Sequence, residues 1–293
     1  MSVTVGLYSP GDMGSTVGRV LSEHGLRVVG CVQGRSERTR HLAENAEIEL
    51  LSSYADLVAE SDLILSILVP AEAVKAAEFL AHHFTGARVT YADCNAISPE
   101  TTRHIGRIIT DAGADYIDAS IIGPPPHKPG VTRFYASGEH AARLAALNEY
   151  GLDVRIVSDE IGQASAVKMC YAALTKGTGA LMAQLLIGAE ALGIRETLMA
   201  EFKISQADRV ERIERATRYV PAKARRYAGE MDEIARTFAS VGLTPKIHEG
   251  AAAMYRFIGE TPLADRNPED PEPPPDIEET LRVLLAHLKH TAE

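Results

Sequence analysis

The sequence predicts an α/β fold, a doubly wound and mostly parallel sheet followed by an all-helical C-terminal domain. Three observations predict it. Up to about residue 160, short β-rich runs alternate with helical patterns. Beyond that point no strand pattern is evident. At the junction, residues 164–194 carry only Lys168, Lys176 and Glu190 as charges and contain no proline.

The strand candidates are VTVGLY (3–8), RVVGCV (27–32), LILSILV (63–69), RVTYA (88–92), DYIDA (115–119) and DVRIV (153–157). Helical stretches such as EAVKAAEFLAHHF lie between them. Near-continuous apolar strands belong to a sheet covered on both faces. Residues 164–194 read as one long buried helix, roughly 45 Å at about 1.5 Å per residue. Pro221 is placed to start a later helix. The segment ADRNPEDPEPPPD (264–276) reads as an extended linker, because its prolines remove donors and fix φ. Asp276 is positioned to cap a last helix with Ile277, Leu281, Leu284, Leu285 and Leu288 on one face. That stripe packs either on its own body or on a partner subunit. The expected domains are 1–160 and 161–293.

Composition narrows the function. With 45% hydrophobic residues in 293, the chain can bury a core in each domain. A formal charge of −10 without a basic run argues against nucleic acid or an anionic membrane as partner. Cys31, Cys94 and Cys170 are odd in number and irregular in spacing, which points to a reducing compartment, with neither a disulfide framework nor a metal site. His248 and Glu249 resemble a metal pair by type but lack partners at ligand spacing. His82 and His83 suit a helix C-terminus. Glu230 and Glu233, three apart, read as a solvated helix face. No secretion signal is evident, and the longest uncharged stretch, 177–189, is too short to span a bilayer. A cytoplasmic protein is expected.

The turn SPGDMGSTVG (9–18) joins the first strand to the first helix. That context is the one in which a glycine turn binds a dinucleotide pyrophosphate, the Rossmann arrangement. Ser9, Pro10, Gly11, Asp12 and Met13 form the cofactor-facing turn. Gly11 lets the backbone approach the pyrophosphate, the N–H groups at Asp12 and Met13 bind it, and Gly14 and Gly18 allow close helix–sheet packing. Ser9 stands where the first glycine is expected; it is tolerated if its φ is negative.

At the end of the second strand an NAD site places an acidic residue. Here the chain reads Gln33, Gly34, Arg35, Ser36, with Arg38 beyond. Arg35 and the Ser36 hydroxyl can donate to a 2′-phosphate, and Arg38 adds positive potential. Charge-assisted hydrogen bonds contribute roughly 1.5–3 kcal/mol each, so one or two favour NADP(H) over NAD(H) by about tenfold to a thousandfold.

The glycine turn, ADCNAISP (92–99), DASIIGPPP (118–126) and GQASAVKMCYAALTKG (162–177) together resemble the β-hydroxyacid dehydrogenase superfamily, which includes 6-phosphogluconate and 3-hydroxyisobutyrate dehydrogenases. The segment GEMDEIARTFASVGLTP (229–245) is similar to the C-terminal domain of a 6-phosphogluconate dehydrogenase-like branch of unknown function. The resemblance implies an NADP-dependent oxidoreductase acting on an alcohol or carbonyl, with Lys168 as general acid/base. The residues support this independently. An ammonium early in a nearly uncharged helix is costly unless it faces a cleft or a partner. The resemblance also places Asn95 near the nicotinamide ribose and Leu68 and Val69 along the cofactor. Read from its residue type alone, Asn95 instead forms a turn or cap ahead of SPETT. Ser98, before Pro99, reads as a helix N-cap.

Two departures bear on the substrate. The family's serine–glycine–glycine that anchors a carboxylate is Ile122, Gly123 and Pro124 here. Isoleucine cannot donate a hydrogen bond, and proline lacks the N–H. The family asparagine four residues after the lysine is Ala172, leaving Tyr171 or Thr175 to replace its contact. A more apolar pocket for a small-molecule substrate is expected, in a homodimer packed through the helical halves. Two rivals stand beside this reading: an imine reductase, and an NADPH-sensing binding protein without turnover.

Overall fold

The computed structural model describes residues 3–84, 86, 88–267 and 272–288. They divide into two units at Met169/Cys170.

The first unit alternates strand and helix: β1 (Thr4–Leu7), α1 (Asp12–Glu23), β2 (Arg27–Gly30), α2 (Glu37–Asn45), β3 (Glu49–Leu50), α3 (Tyr54–Glu60), β4 (Leu63–Ser66), α4 (Ala73–Ala81), β5 (Thr90–Asp93), α5 (Pro99–Asp111), β6 (Asp115–Ile122), β7 (Arg133–Ser137), α6 (Ala141–Ala145) and β8 (Val154–Ser158). The sheet order is β3-β2-β1-β4-β5-β6-β7-β8. Only β6 and β7 pair antiparallel. The strand order therefore reverses between the parallel neighbours β1 and β4, the switch point at which α/β sheets bind ligands. Strand alternation separates two cores. Leu63, Leu65, Ala92, Ile117 and Ala119 face α1, α2 and α6. Ile64, Tyr91 and Tyr116 face α3, α4 and α5. This is the doubly wound arrangement that the alternating pattern predicts.

Two strands escaped the sequence reading. β3 has only two residues, at the sheet edge. β7 follows a proline- and glycine-rich loop and carries Arg133 and half-exposed Tyr135 among its apolar residues. Gly123, at the loop's start, has φ +126°, and a Cβ there would lie 2.1 Å from the Val131 carbonyl oxygen. The loop is further closed by the Thr132 hydroxyl, which donates to the Pro124 carbonyl at 2.5 Å.

The next helix, α7 (Gln163–Ala191), crosses the boundary between the units. It is long as expected but not buried all round: Tyr171, Leu174 and Leu181 are 49%, 73% and 62% exposed. Lack of charge marked an apolar helix, not an enclosed one. The second unit continues with α8 (Arg195–Ser205), α9 (Ala207–Tyr219), α10 (Ala224–Ser240), α11 (Lys246–Gly259) and α12 (Ile277–Ala286). Pro221 opens a 3-10 turn that leads directly into α10. Met231 and Ile234 of α10 and Tyr255 and Ile258 of α11 are fully buried.

The proline-rich segment begins later than expected. Pro262–Asp265 form a 3-10 turn, which the fixed φ of Pro262 at its first position favours. Residues 268–271 of the predicted linker lie outside the described residues. Beyond them, Arg218 of α9 donates to the Pro275 and Pro274 carbonyls at 2.8 and 3.0 Å. Asp276 caps α12 through the Glu279 N–H at 2.9 Å. Leu281 and Leu284 are buried, and α12 packs on α9, within its own body.

Replacing Gly123 by alanine forces a Cβ into a backbone carbonyl at a left-handed position. A loss of about 2 kcal/mol or more is expected, read as a fall in Tm of several degrees. A Tm within about 1 °C of the parent would contradict this account of the loop.

Candidate active site

The glycine turn joins β1 to α1, and its glycines differ in what they do. Gly14 and Gly18 bring α1 close to the sheet: a Cβ on Gly18 would lie 2.8 Å from Leu7, and one on Gly14 3.2 Å from the Ser9 carbonyl oxygen. Gly11 is different. Its φ is −69°, and a Cβ there would meet nothing within 4 Å. The protein's own packing does not require that glycine, whereas a ligand seated against its backbone would. Gly11 is the N-cap of α1, and no side chain caps the helix. A helix N-terminus without a side-chain cap is the kind of position at which anions bind. Ser9 is buried, and Glu47 is the one non-glycine residue with positive φ among the described residues. Serine is therefore sterically acceptable in the turn.

Arg35 folds back onto this turn. Its Nε donates to Ser9 Oγ at 2.9 Å, and its guanidinium lies 5.4 Å from the Tyr8 ring centroid. Burial pushes the Tyr8 phenol up, so it stays neutral beneath the cation. Arg35 and Leu68 line one cavity of about 310 Å³ together with Tyr8, Glu72, Lys75, Ala76 and Phe79. Sequence reasoning missed these last five; each sits in a run that reads as ordinary strand or helix. Ser36 is the N-cap of α2, accepting from the Thr39 N–H at 3.3 Å. Its hydroxyl also shares a hydrogen bond with the Thr39 hydroxyl at 3.1 Å, and it keeps a donor for a ligand when Thr39 donates there. Arg38 is exposed in the first turn of α2, and Val69 is exposed beside half-buried Leu68. Pro10 is buried in the turn, with Asp12 and Met13 half-buried behind it.

At the ends of β4 and β5, Asn95 is buried. Its Oδ1 accepts from the Leu68 N–H at 2.5 Å, and its Nδ2 donates to Ser66 Oγ at 3.2 Å. It clasps two neighbouring loops and caps no helix; the cap of α5 is Ser98, as expected. The Asn95 N–H donates to Asp93 Oδ1 at 2.9 Å.

Lys168 is half-buried, and its Nζ donates to the Ile121 carbonyl oxygen at 2.6 Å. Its position follows from Asp118, a residue whose role the sequence did not reveal. Asp118 is fully buried and accepts five hydrogen bonds. Oδ1 takes the hydroxyls of Thr102 and Ser165 at 3.2 and 2.6 Å. Oδ2 takes the Ser137 hydroxyl at 2.7 Å and the N–H groups of Gly162 and Ser165 at 2.8 and 3.2 Å. The Ala164 N–H donates to Ser137 Oγ at 3.0 Å. The first turn of α7 is thus capped by remote side chains, with a carboxylate at its positive end. Ser120 donates to the Ala164 carbonyl at 2.9 Å. Helix and strand are fastened in step along β6: Asp118 to Gly162 and Ser165, Ser120 to Ala164, Ile121 to Lys168. Ile122, just past that point, is buried.

In the second unit, Tyr171 and Thr175 are exposed on α7 and Ala172 is buried. The Thr175 hydroxyl turns back onto the Tyr171 and Ala172 carbonyls at 3.3 and 3.4 Å. Glu230 and Glu233 do not form the expected solvated face; both are buried. Glu230 pairs with Lys176 at 2.5 Å and Arg226 at 3.4 Å, and Glu233 pairs with Arg236. The turn that three-residue spacing gives α10 packs inward, and cations neutralise its carboxylates. Among the described residues no cluster of three metal-ligating side chains occurs, and no helix is long and apolar enough to cross a membrane.

The sheet order and the uncapped glycine turn define a Rossmann-type nucleotide-binding protein. Residues 4–147 match the NAD binding domain of 6-phosphogluconate dehydrogenase, and residues 189–258 match a domain of unknown function, DUF1932. The chain belongs to the family that joins these two domains. A conserved protein of unknown function, whose structure is described as similar to 3-hydroxyacid dehydrogenases, is 30% identical; the match covers 88% of this chain and 99% of that one, with a TM-score of 0.65. Mycobacterium tuberculosis 3-hydroxyisobutyrate dehydrogenase shares the fold at 17% identity, over 97% of this chain and 99% of that one, with a TM-score of 0.67. The NADP+ complex of an imine reductase from Myxococcus stipitatus does so at 21% identity, over 88% and 93%, with a TM-score of 0.54.

Asp118→Ala should leave the Gly162 and Ser165 N–H groups buried without an acceptor. A loss of about 3 kcal/mol or more in urea unfolding is expected. A loss under about 1 kcal/mol would show that α7 does not depend on this carboxylate.

Proposed function

We propose that the protein is an NADP(H)-dependent oxidoreductase that interconverts an alcohol and a carbonyl, with Lys168 as general acid/base. One observation carries the reading: Lys168 Nζ is held half-buried against the Ile121 carbonyl, beyond the ends of β4 and β5. β6 runs on from Asp118, the register partner of Asp93, to Ile122, so its tip projects on the ligand side of the sheet.

The residues present fit a dinucleotide. The α1 N-terminus at Gly11, Asp12 and Met13 would hold the pyrophosphate. Arg35, Ser36 and Arg38 at the end of β2 would meet a 2′-phosphate, with adenosine in the cavity beside Tyr8 and Leu68. The nicotinamide half then extends toward β4, β5 and β6, where Asn95 and Lys168 stand. The bound dinucleotide supplies hydride transfer. Lys168 supplies the proton chemistry: it takes the hydroxyl proton in oxidation and returns one to the nascent alkoxide in reduction. The Ile121 carbonyl accepts from the ammonium and so orients it. The substrate is a small molecule, which Ile122 and Gly123 at the end of β6 would contact in the first unit. Ile122 provides no donor for a carboxylate, which favours an apolar substrate. Exposed Leu174 and Leu181 on α7 favour a homodimer through the helical unit.

Lys168→Ala should abolish turnover on a panel of aldehydes, 2- and 3-hydroxy acids and cyclic imines while NADPH binding persists. Residual activity above a few per cent would refute the assignment, and turnover of imines alone would favour an imine reductase. Binding without turnover in the parent would favour a cofactor-sensing protein.

Arg35→Ala should raise the dissociation constant for NADPH by about tenfold or more while changing that for NADH little. Equal effects on both would remove the 2′-phosphate role.

A further inference from the structure

Asp93 closes β5 and lies fully buried. It pairs in register with Asp118 on β6, so two carboxyl groups stand side by side within the sheet. Their surroundings differ. Asp118 is saturated by five donors, three of them from Gly162 and Ser165 at the start of α7. Asp93 accepts the Asn95 N–H through Oδ1, and its Oδ2 is buried without a hydrogen-bond partner. The titratable groups acting on it are Tyr91 and Cys94 from its own strand end and Tyr116 and Asp118 from β6. All four are acids. Burial, reinforced by the Asp118 charge and opposed by the Asn95 hydrogen bonds, pushes the Asp93 carboxyl up to about 7.

We propose that Asp93 is a positioning residue that discriminates the oxidised from the reduced cofactor, favouring the positively charged nicotinamide ring increasingly as pH rises. The inference rests on the dinucleotide reading above, which brings the ring to the β4–β6 ends. Asn95, bonded to Asp93, clasps Leu68 and Ser66 at that place. A cationic ring stabilises the ionised carboxyl, an attraction that the low dielectric of the buried strand end strengthens. A neutral reduced ring adds burial only, which stabilises the protonated carboxyl. NADP+ binding therefore releases a proton from Asp93, and NADPH binding takes one up. Adenosine, pyrophosphate and 2′-phosphate are common to both cofactors, so their titrations cancel in the ratio of dissociation constants.

The test is calorimetric titration of the full-length protein with NADP+ and with NADPH at about pH 6 and about pH 8.5. A difference of about one unit in the carboxyl's pKa between the two complexes lowers the ratio Kd(NADP+)/Kd(NADPH) about tenfold across that range. Asp93→Asn should flatten the ratio. Lys168→Met should retain the fall, which separates Asp93 from the lysine. A pH-independent ratio in the parent, a fall that persists in Asp93→Asn, or one abolished by Lys168→Met overturns the inference while leaving the proposed function intact. If Asp93→Asn lacks the parent's circular dichroism, proton counting in two buffers of different ionisation heat serves on the parent and on Lys168→Met. Proton release with NADP+ and uptake with NADPH near pH 7 then support the inference, and equal counts overturn it. Failure of the parent to bind either cofactor overturns the proposed function and this inference with it.

Discussion

The structure turns on one buried carboxylate. An ionised group removed from water is tolerated only when its oxygens are fully engaged, and Asp118 meets that condition with five donors from four residues. Two of the donors are backbone N–H groups at the start of α7, so the bond that satisfies the carboxylate also fixes the helix against β6. A slip of one helical turn would move Lys168 about 5.4 Å and orphan the Gly162 and Ser165 N–H groups at once. The lysine's position is therefore fixed by these bonds as well as by its own bond to Ile121.

The same economy appears at the opposite end of the site. Three glycines at the N-cap of α1 and along its first two turns serve two masters. Gly14 and Gly18 answer to the protein, because side chains there would collide with Ser9 and Leu7. Gly11 answers to nothing in the protein, since the space above it is open. A residue kept small where the fold makes no demand is the mark of a surface shaped for something else to approach. The uncapped helix end beside it gives the charge that something must carry.

The architecture was largely legible because hydrophobic alternation and glycine context are local signals. β1, α1 and the capping roles of Ser98 and Asp276 all follow from residues within a few positions of one another. What stayed hidden depends on distant partners. Asp118 draws its donors from 16 to 47 residues away, and nothing in DASIIGPPP announces them. Glu230 and Glu233 read as a solvated pair because spacing places them on one helix face without saying which way that face turns; Lys176, on another helix, neutralises Glu230. β7 was missed for a related reason. Its antiparallel pairing with β6 depends on the turn at Gly123, whose positive φ no residue pattern around it spells out.

Ser9 shows how a departure from a pattern can be informative. A glycine at that position would have no side chain to offer; serine gives Arg35 an acceptor at 2.9 Å. The arginine that ends β2 is thereby tethered to the turn that begins α1, and the Tyr8 ring beneath it limits where the guanidinium can swing. The tether uses Nε, whereas a guanidinium engages an oxyanion end-on through its two terminal nitrogens. Ordering that side chain in advance reduces the entropy lost when an anion arrives. The serine that stands for a glycine and the arginine that stands for an acidic residue are thus joined by one hydrogen bond, which holds a positive charge beside the turn.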